Sequence, residues 1–227
     1  MILLLFIFSS LASAATLTGQ VELADSREAS VSKQKDYSGV IVWLEQKNAS
    51  PQTTKPGTFT MVQKNKRFMP HVLVIPVGST VSFPNSDPIF HNAFSNFSGQ
   101  PFDTGLYPPG TSQKIRFRRE GVVRVFCNIH SNMSAVIIVL NTPYYARTEK
   151  DGSYKLEGVA PGEYKLKVWN ERSAERTLDA LQQTITVDGD RKLAPLRISE
   201  SGYLEVPHKN KFGQEYPAGG GYTGAPK

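Results

Sequence analysis

The stretch Val125-Phe126-Cys127-Asn128-Ile129-His130-Ser131-Asn132-Met133 sets a thiol, an imidazole and a thioether at the spacing C-x2-H-x2-M, and Cys127 is the single cysteine of the chain. Upstream, His91 closes the run Phe83-Pro84-Asn85-Ser86-Asp87-Pro88-Ile89-Phe90. Two imidazoles and a thiolate define a trigonal plane for a metal ion, and a thioether binds weakly on its axis; this donor set suits copper. Cys127 would bind as a thiolate, its pKa lowered by the metal. Three donors within seven residues can wrap one ion as a single loop. The fourth has to come from another strand, as His91 can. Each residue also has a plainer reading. A buried free cysteine is commonly an inert core thiol, a methionine core filler and a loop histidine solvated. Zinc also takes cysteine and histidine, whereas the thioether favours copper.

The elements that must position these side chains read as short β-strands. Thr80-Val81-Ser82-Phe83 runs up to the His91 loop, and Val122 to Phe126 and Ala135 to Leu140 flank the Cys127 loop. With Val72-Leu73-Val74-Ile75 and Ile115-Arg116-Phe117, they form β-rich runs cut by turn residues from Thr58 to Leu140, the pattern of an antiparallel sandwich or barrel. Residues 16–24 alternate like a strand, 25–38 read as a loop, Gly39 to Leu44 is a strong β-run, and 47–57 read as a linker. Pro143 breaks the chain, and a second β-rich stretch runs from Tyr144 to about Ser199, with Asp151-Gly152 and Pro161-Gly162 as turn signals. Periodicity leaves 170–183 open between a short helix and an ordered loop. The Gly-, Pro- and Lys-rich tail, 207–227, reads as disordered, with His208 solvated.

A length of 227 residues allows one large domain or two small ones, and 39% hydrophobic residues exclude a wholly disordered chain. The expected fold class is all-β. Ile2 to Phe8 are apolar and lead to Ala12-Ser13-Ala14, so residues 1–14 read as a cleaved secretory signal peptide and the protein as periplasmic or secreted. No other long apolar run exists, so no membrane span is expected. The net charge of +6 favours an acidic partner. Arg116, Arg118, Arg119 and Arg124 flank the cysteine strand, either as a solvated face or as a docking surface for an acidic redox protein. No interleaving of aromatic and basic residues suggests nucleic acid. There is no Ser-His-Asp order, paired-carboxylate motif or phosphate-binding loop, and the four histidines are too few for a multicopper enzyme, so catalysis is not expected. His71 reads as a strand residue rather than a further ligand.

From Thr58 to Leu140 the chain resembles a cupredoxin. Phe68-x-Pro70, Val72-Leu73-Val74, Gly78-x-Thr80-Val81-x-Phe83, Asn85-x-Asp87 and His91-Asn92 follow that family's pattern in order, and the short C-x2-H-x2-M loop is similar to that of amicyanin. The resemblance implies a Greek-key β-sandwich over 57–141 holding one type 1 (blue) copper ion, with His91, Cys127, His130 and Met133 as its ligands. It implies that Asn92 ties the two ligand loops together. Ser131 stands where proline is common, and Phe126 where some relatives have tyrosine. In relatives with short ligand loops the histidine can leave the reduced metal and take a proton. His130 would then make the potential rise as pH falls below about 7.

The segment Thr148 to Leu166, with Asp151-Gly152, Gly158 and Pro161-Gly162, resembles the carboxypeptidase regulatory-like, transthyretin-like β-sandwich. Gly19-Gln20-Val21 and Val40-Ile41-Val42-Trp43-Leu44 fit the first half of that pattern. The expected organisation is one discontinuous sandwich, 15–50 with 143–206, into which the cupredoxin is inserted. Proteins of this build are similar to those labelled methylamine utilisation proteins. The expected function is single-electron transport between redox partners; the rival is a binding or adhesion module that holds or senses copper in a structural site.

Overall fold

The computed structural model describes residues 14–46, 54–96, 99–204 and 208–216. The signal stretch, up to residue 13, and most of the 47–57 linker lie outside the described residues. Among the described residues the fold is all-β apart from two short helices, as the alternation predicts. Chain order runs β1 (Ala15–Ala24), β2 (Ile41–Gln46), β3 (Thr58–Thr60), β4 (Val62–Lys64), β5 (Arg67–Met69), β6 (Val72–Pro76), β7 (Thr80–Pro84), β8 (Phe94–Ser95) and β9 (Phe102–Asp103). It continues through β10 (Ser112–Arg116), β11 (Gly121–Cys127), β12 (His130–Leu140), β13 (Tyr145–Arg147), β14 (Ser153–Val159), β15 (Gly162–Trp169), β16 (Gln183–Val187), β17 (Arg191–Lys192) and β18 (Leu196–Ser199). Helix α1 is a single turn, Ala29–Ser32, inside the stretch read as a loop; it buries Val31. Helix α2, Glu175–Ala180, resolves the segment that periodicity left open, and it buries Leu178.

Contacts divide the described chain into two compact units, one combining 14–46 with 144–204, the other combining 54–143 with 208–216. In the first unit, β1 lies between β14 and the parallel partners β17 and β18, and the sheet β13-β2-β15-β16 supplies a second layer. Leu17, Val21 and Leu23 of β1 are buried at every second position, the period of a half-buried strand. Two glycines explain motifs seen in the sequence. The Tyr154 ring lies where a Cβ on Gly19 would stand, and a Cβ on Gly152, whose φ is +84°, would meet the Val21 carbonyl at 2.0 Å. Only glycine permits that approach in that conformation.

The second unit packs β10-β7-β3 and β6-β12-β11-β8-β9 around Phe68, Ile75, Val81, Phe83, Phe117, Val123, Val125, Ile137 and Val139, all buried. β11 and β12 form an antiparallel hairpin whose register slips between Phe126 and Cys127, leaving Cys127 opposite His130. β12 then runs parallel to β6, with Val136 beside Val72 and Leu140 beside Pro76. The apolar run Ala135–Leu140 is buried throughout, as suits a central strand covered on both faces. Among the described residues no helix is long and apolar enough to cross a membrane.

Candidate metal centre

The register slip makes Cys127 the last residue of one strand and His130 the first of the next, so Asn128 and Ile129 form the tip. Thiol and imidazole therefore face one another by local geometry alone. His91 arrives from elsewhere. It forms a bridge with Tyr107, exchanging backbone hydrogen bonds of 3.3 and 2.9 Å, which fixes the loop between β7 and β8. The outcome is a His91–Cys127–His130 group whose donor atoms lie within 4.8 Å of one another. Nδ1 of His91 is 3.6 Å from Cys127 Sγ, and Nδ1 of His130 is 3.5 Å from it. An ion about 2.3 Å from sulfur and about 2.0 Å from each nitrogen, with angles near 110°, spaces sulfur from nitrogen by about 3.5 Å, which both sulfur–nitrogen distances match. His91 and Cys127 are fully buried and His130 is partly buried. Met133 is buried in the same core as Cys127, three residues past His130 on β12.

Hydrogen bonds set the chemistry of each donor. His91 Nε2 lies 2.8 Å from Asp87 Oδ2, so an Nε2–H donated to that carboxylate leaves the Nδ1 lone pair free for a metal. Asp87 also accepts the backbone N–H groups of Asn65 and Lys66, at 2.6 and 2.8 Å, which anchors it to the β4–β5 turn. Both turn residues have positive φ, and the carboxylate holds them there. Burial pushes Asp87 up, but these N–H groups and His91 prevail and hold it below the usual carboxylate range. Burial lowers His130 to about 4, helped by His91 and Lys66, so its imidazole is neutral at pH 7. Burial raises the Cys127 thiol, against the N–H groups of Asn92, Ile129 and His130 that point at its sulfur. A metal ion has to displace that proton. Asn92 Oδ1 accepts the Asn128 N–H at 2.6 Å and its Nδ2 donates to Asp103 at 3.2 Å, bridging the two ligand loops.

The donor chemistry fits copper. A thiol and two imidazoles close on one point, a thioether-bearing residue is buried beside them, and no carboxylate belongs to the group. His71 lies apart, exposed, with Nδ1 3.2 Å from the Ser134 carbonyl. The four arginines are exposed, but Arg118 and Arg119 lie beyond the end of β10 rather than alternating on it.

The expectation of a disordered tail and a solvated His208 is corrected for 208–216, whereas 207 and 217–227 lie outside the described residues. Residues 208–216 pack on the ligand loop: the His208 ring stacks on Phe126 at 4.4 Å, and the Tyr216 hydroxyl donates to the Cys127 carbonyl at 2.8 Å. The tail's composition is that of a loose chain, yet a histidine, a lysine and a tyrosine within it find specific partners. Asp87 was visible within Asn85-x-Asp87 without a role; His208, Lys211 and Tyr216 carried no signal beyond their aromatic and basic character in a Gly- and Pro-rich stretch.

No family model and no curated protein matches the chain. Among solved structures it is similar to a Cu-containing nitrite reductase, NirK, from Thermus scotoductus SA-01, with 30% identity over 43% of this chain and a TM-score of 0.35; it spans 25% of that enzyme. It is also similar to a purple cupredoxin from Nitrosopumilus maritimus, with 27% identity over 36% of this chain and 98% of that one and a TM-score of 0.34. A third is an oxidised amicyanin variant, with 15% identity over 37% of this chain and 82% of that one and a TM-score of 0.35. The first of these corrects the expectation that the chain is no enzyme. That match covers only part of this chain and gives no positive evidence for an activity here.

Proposed function

We propose that the protein is an exported type 1 copper protein that carries single electrons between redox partners. The observation that carries this reading is the approach of two imidazole Nδ1 atoms to one buried thiol, at 3.6 and 3.5 Å. His91, Cys127 and His130 would hold the ion, with Met133 as a further, weak donor and Asn92 bracing the loops. Copper bound there supplies a one-electron couple and an intense thiolate charge-transfer band. The chain does the rest. Asp87 orients His91, three backbone N–H groups aim at the sulfur, and the buried pocket excludes water. Donors held this firmly move little between oxidation states, which favours rapid electron exchange. His130, the partly exposed ligand, is the edge through which electrons pass, and exposed arginines on the same unit suit an acidic redox protein.

The first unit reads as the carboxypeptidase regulatory-like sandwich with the cupredoxin inserted. The pairings of β1 with β14 and of β2 with β15 support this, because they join segments from either side of the second unit. Kinship with methylamine utilisation proteins rests on the ligand spacing, and export rests on residues 1–14. The decisive test is the visible spectrum of the copper-loaded protein. An intense red-region band that is lost in Cys127→Ser is expected; a colourless copper form, or uptake of zinc alone, overturns the reading. A metal that cannot be reduced without unfolding the chain makes the site structural. For the insertion, a fragment of 143–206 should fail to melt cooperatively, whereas 16–50 joined to 143–206 should succeed. A cooperative 143–206 fragment makes the arrangement tandem.

A further inference from the structure

Residues 208–216 supply none of the three clustered donors, yet their contacts concentrate on the segment that carries two of them. His208 stacks on Phe126 at 4.4 Å with an interplanar angle of 29°, and its Nε2 is 3.3 Å from the His130 carbonyl. The Lys211 N–H donates to Asn128 Oδ1 at 2.8 Å, and the Tyr216 hydroxyl donates to the Cys127 carbonyl at 2.8 Å. Four of the five residues from Phe126 to His130 are therefore held by the tail. Lys211 Nζ also meets Asp103 at 2.6 Å, and Asp103 accepts from Asn92, the neighbour of His91. The tail thus reaches both ligand loops.

The segment is shaped for this before it touches anything. Asn210, 3% exposed, accepts the N–H groups of Phe212 and Gln214 at 2.9 Å through its side chain. Its own N–H donates to the Gln214 carbonyl at 2.9 Å, and Gly213 turns the chain with φ +77°. A closed turn of this kind pays part of the ordering entropy in advance, so the contacts it presents hold the loop more firmly than those of a loose tail.

We propose that residues 208–216 are a positioning strap for the metal-ligand loop, with Tyr216, Lys211 and His208 as the positioning residues that hold Cys127 and His130 in their ligand geometry. The metal-dependent part rests on the copper reading; the protection of Cys127 does not. The Tyr216 bond acts on the backbone of the ligand cysteine itself, so its loss should change how the thiolate is presented. Its neighbours set where the loop can move.

The test uses the full chain, a chain ending at Val206, and the point variants Tyr216→Phe and Lys211→Ala. In the metal-free protein, truncation should speed the reaction of Cys127 with a thiol-modifying disulfide reagent by about tenfold, since several hydrogen bonds no longer oppose loop opening. In the copper-loaded protein, truncation should speed release to a chelator by about tenfold, with Tyr216→Phe giving a smaller change and a shifted charge-transfer band. Should the truncated chain fail to fold, Tyr216→Phe carries the test. A lowered melting temperature with unchanged thiol reactivity, release rate and band overturns the proposal, because the tail would then be merely stabilising. If the full chain takes up no copper while strap removal still exposes Cys127, the strap stands and the copper reading falls. If copper binds and no readout moves, the strap falls and the copper reading stands.

Discussion

Glu200 in the first unit and Cys127 in the second are both buried; the carboxylate would be costly there without partners, whereas a neutral thiol would not. Glu200 is closed upon itself. It accepts from Ser26, from Asn170 at 2.9 Å and from the Arg172 guanidinium at 2.9–3.0 Å. Burial pushes its carboxyl up, but these donors outweigh burial and hold it below the usual range. Around Cys127 burial wins and the thiol rises, because its partners are N–H dipoles with no cation among them. Its nearest side-chain neighbours are two imidazole nitrogens that, like the sulfur, offer lone pairs. One cluster brings its own counter-charge and is structural. The other converges donors and leaves the positive charge to come from outside. That difference, more than burial, separates a folding network from a candidate metal site.

The comparison breaks most sharply at Cys127, where Cys127→Ser should abolish the charge-transfer band of the copper-loaded protein entirely. Next comes Arg172→Ala, which strands Glu200 and should cost about 3 kcal/mol in a denaturant titration while leaving the copper band in place. A shifted band would mean that the two clusters are not independent. Asp87→Asn should weaken copper binding by about 10–100-fold with the band retained, measured by competition with a chelator. An unchanged affinity would reduce Asp87 to a brace for the β4–β5 turn.

The smallest effect is in pH. In the metal-free protein His130 titrates at about 4 when folded and near 6.5 when unfolded, so between these values the unfolded chain binds more protons. Stability should therefore fall as pH drops from about 6.5 to about 4, and this slope should become shallower in His130→Ala, the remainder coming from His208, whose imidazole burial also lowers. Glu200 contributes stability that is present above the ordinary carboxylate value of 4.5 and is lost as pH falls below it. Denaturation midpoints from pH 7 to pH 3 separate the two windows. In the metal-free chain, burial thus keeps His130 neutral through the neutral range.

The spacing of Cys127, His130 and Met133 was legible because hairpin geometry is local. A strand, a two-residue tip and a returning strand bring position i opposite i+3 whatever surrounds them. Period-2 alternation in β1 and the unbroken apolar run in β12 likewise disclosed which strands are half-buried and which are central. Gly19 and Gly152 stood out as pattern and turn residues, and the close approaches that require them were seen only in the fold.

Everything that joins distant segments was decided by the tertiary structure. His91 meets Cys127 across 36 residues because the Tyr107 bridge and the Asp87 carboxylate hold its loop, and neither contact leaves a periodic trace. The tail lies against the ligand loop through Tyr216, Lys211 and His208, although its composition reads as disorder. The opposite pKa outcomes at Glu200 and Cys127 arise from which groups converge in space. Local backbone preference determines strands, turns and the spacing of donors along them. Which lone pairs face one another in a dry interior depends on long-range packing, and on whether a cation of the chain's own is packed beside them.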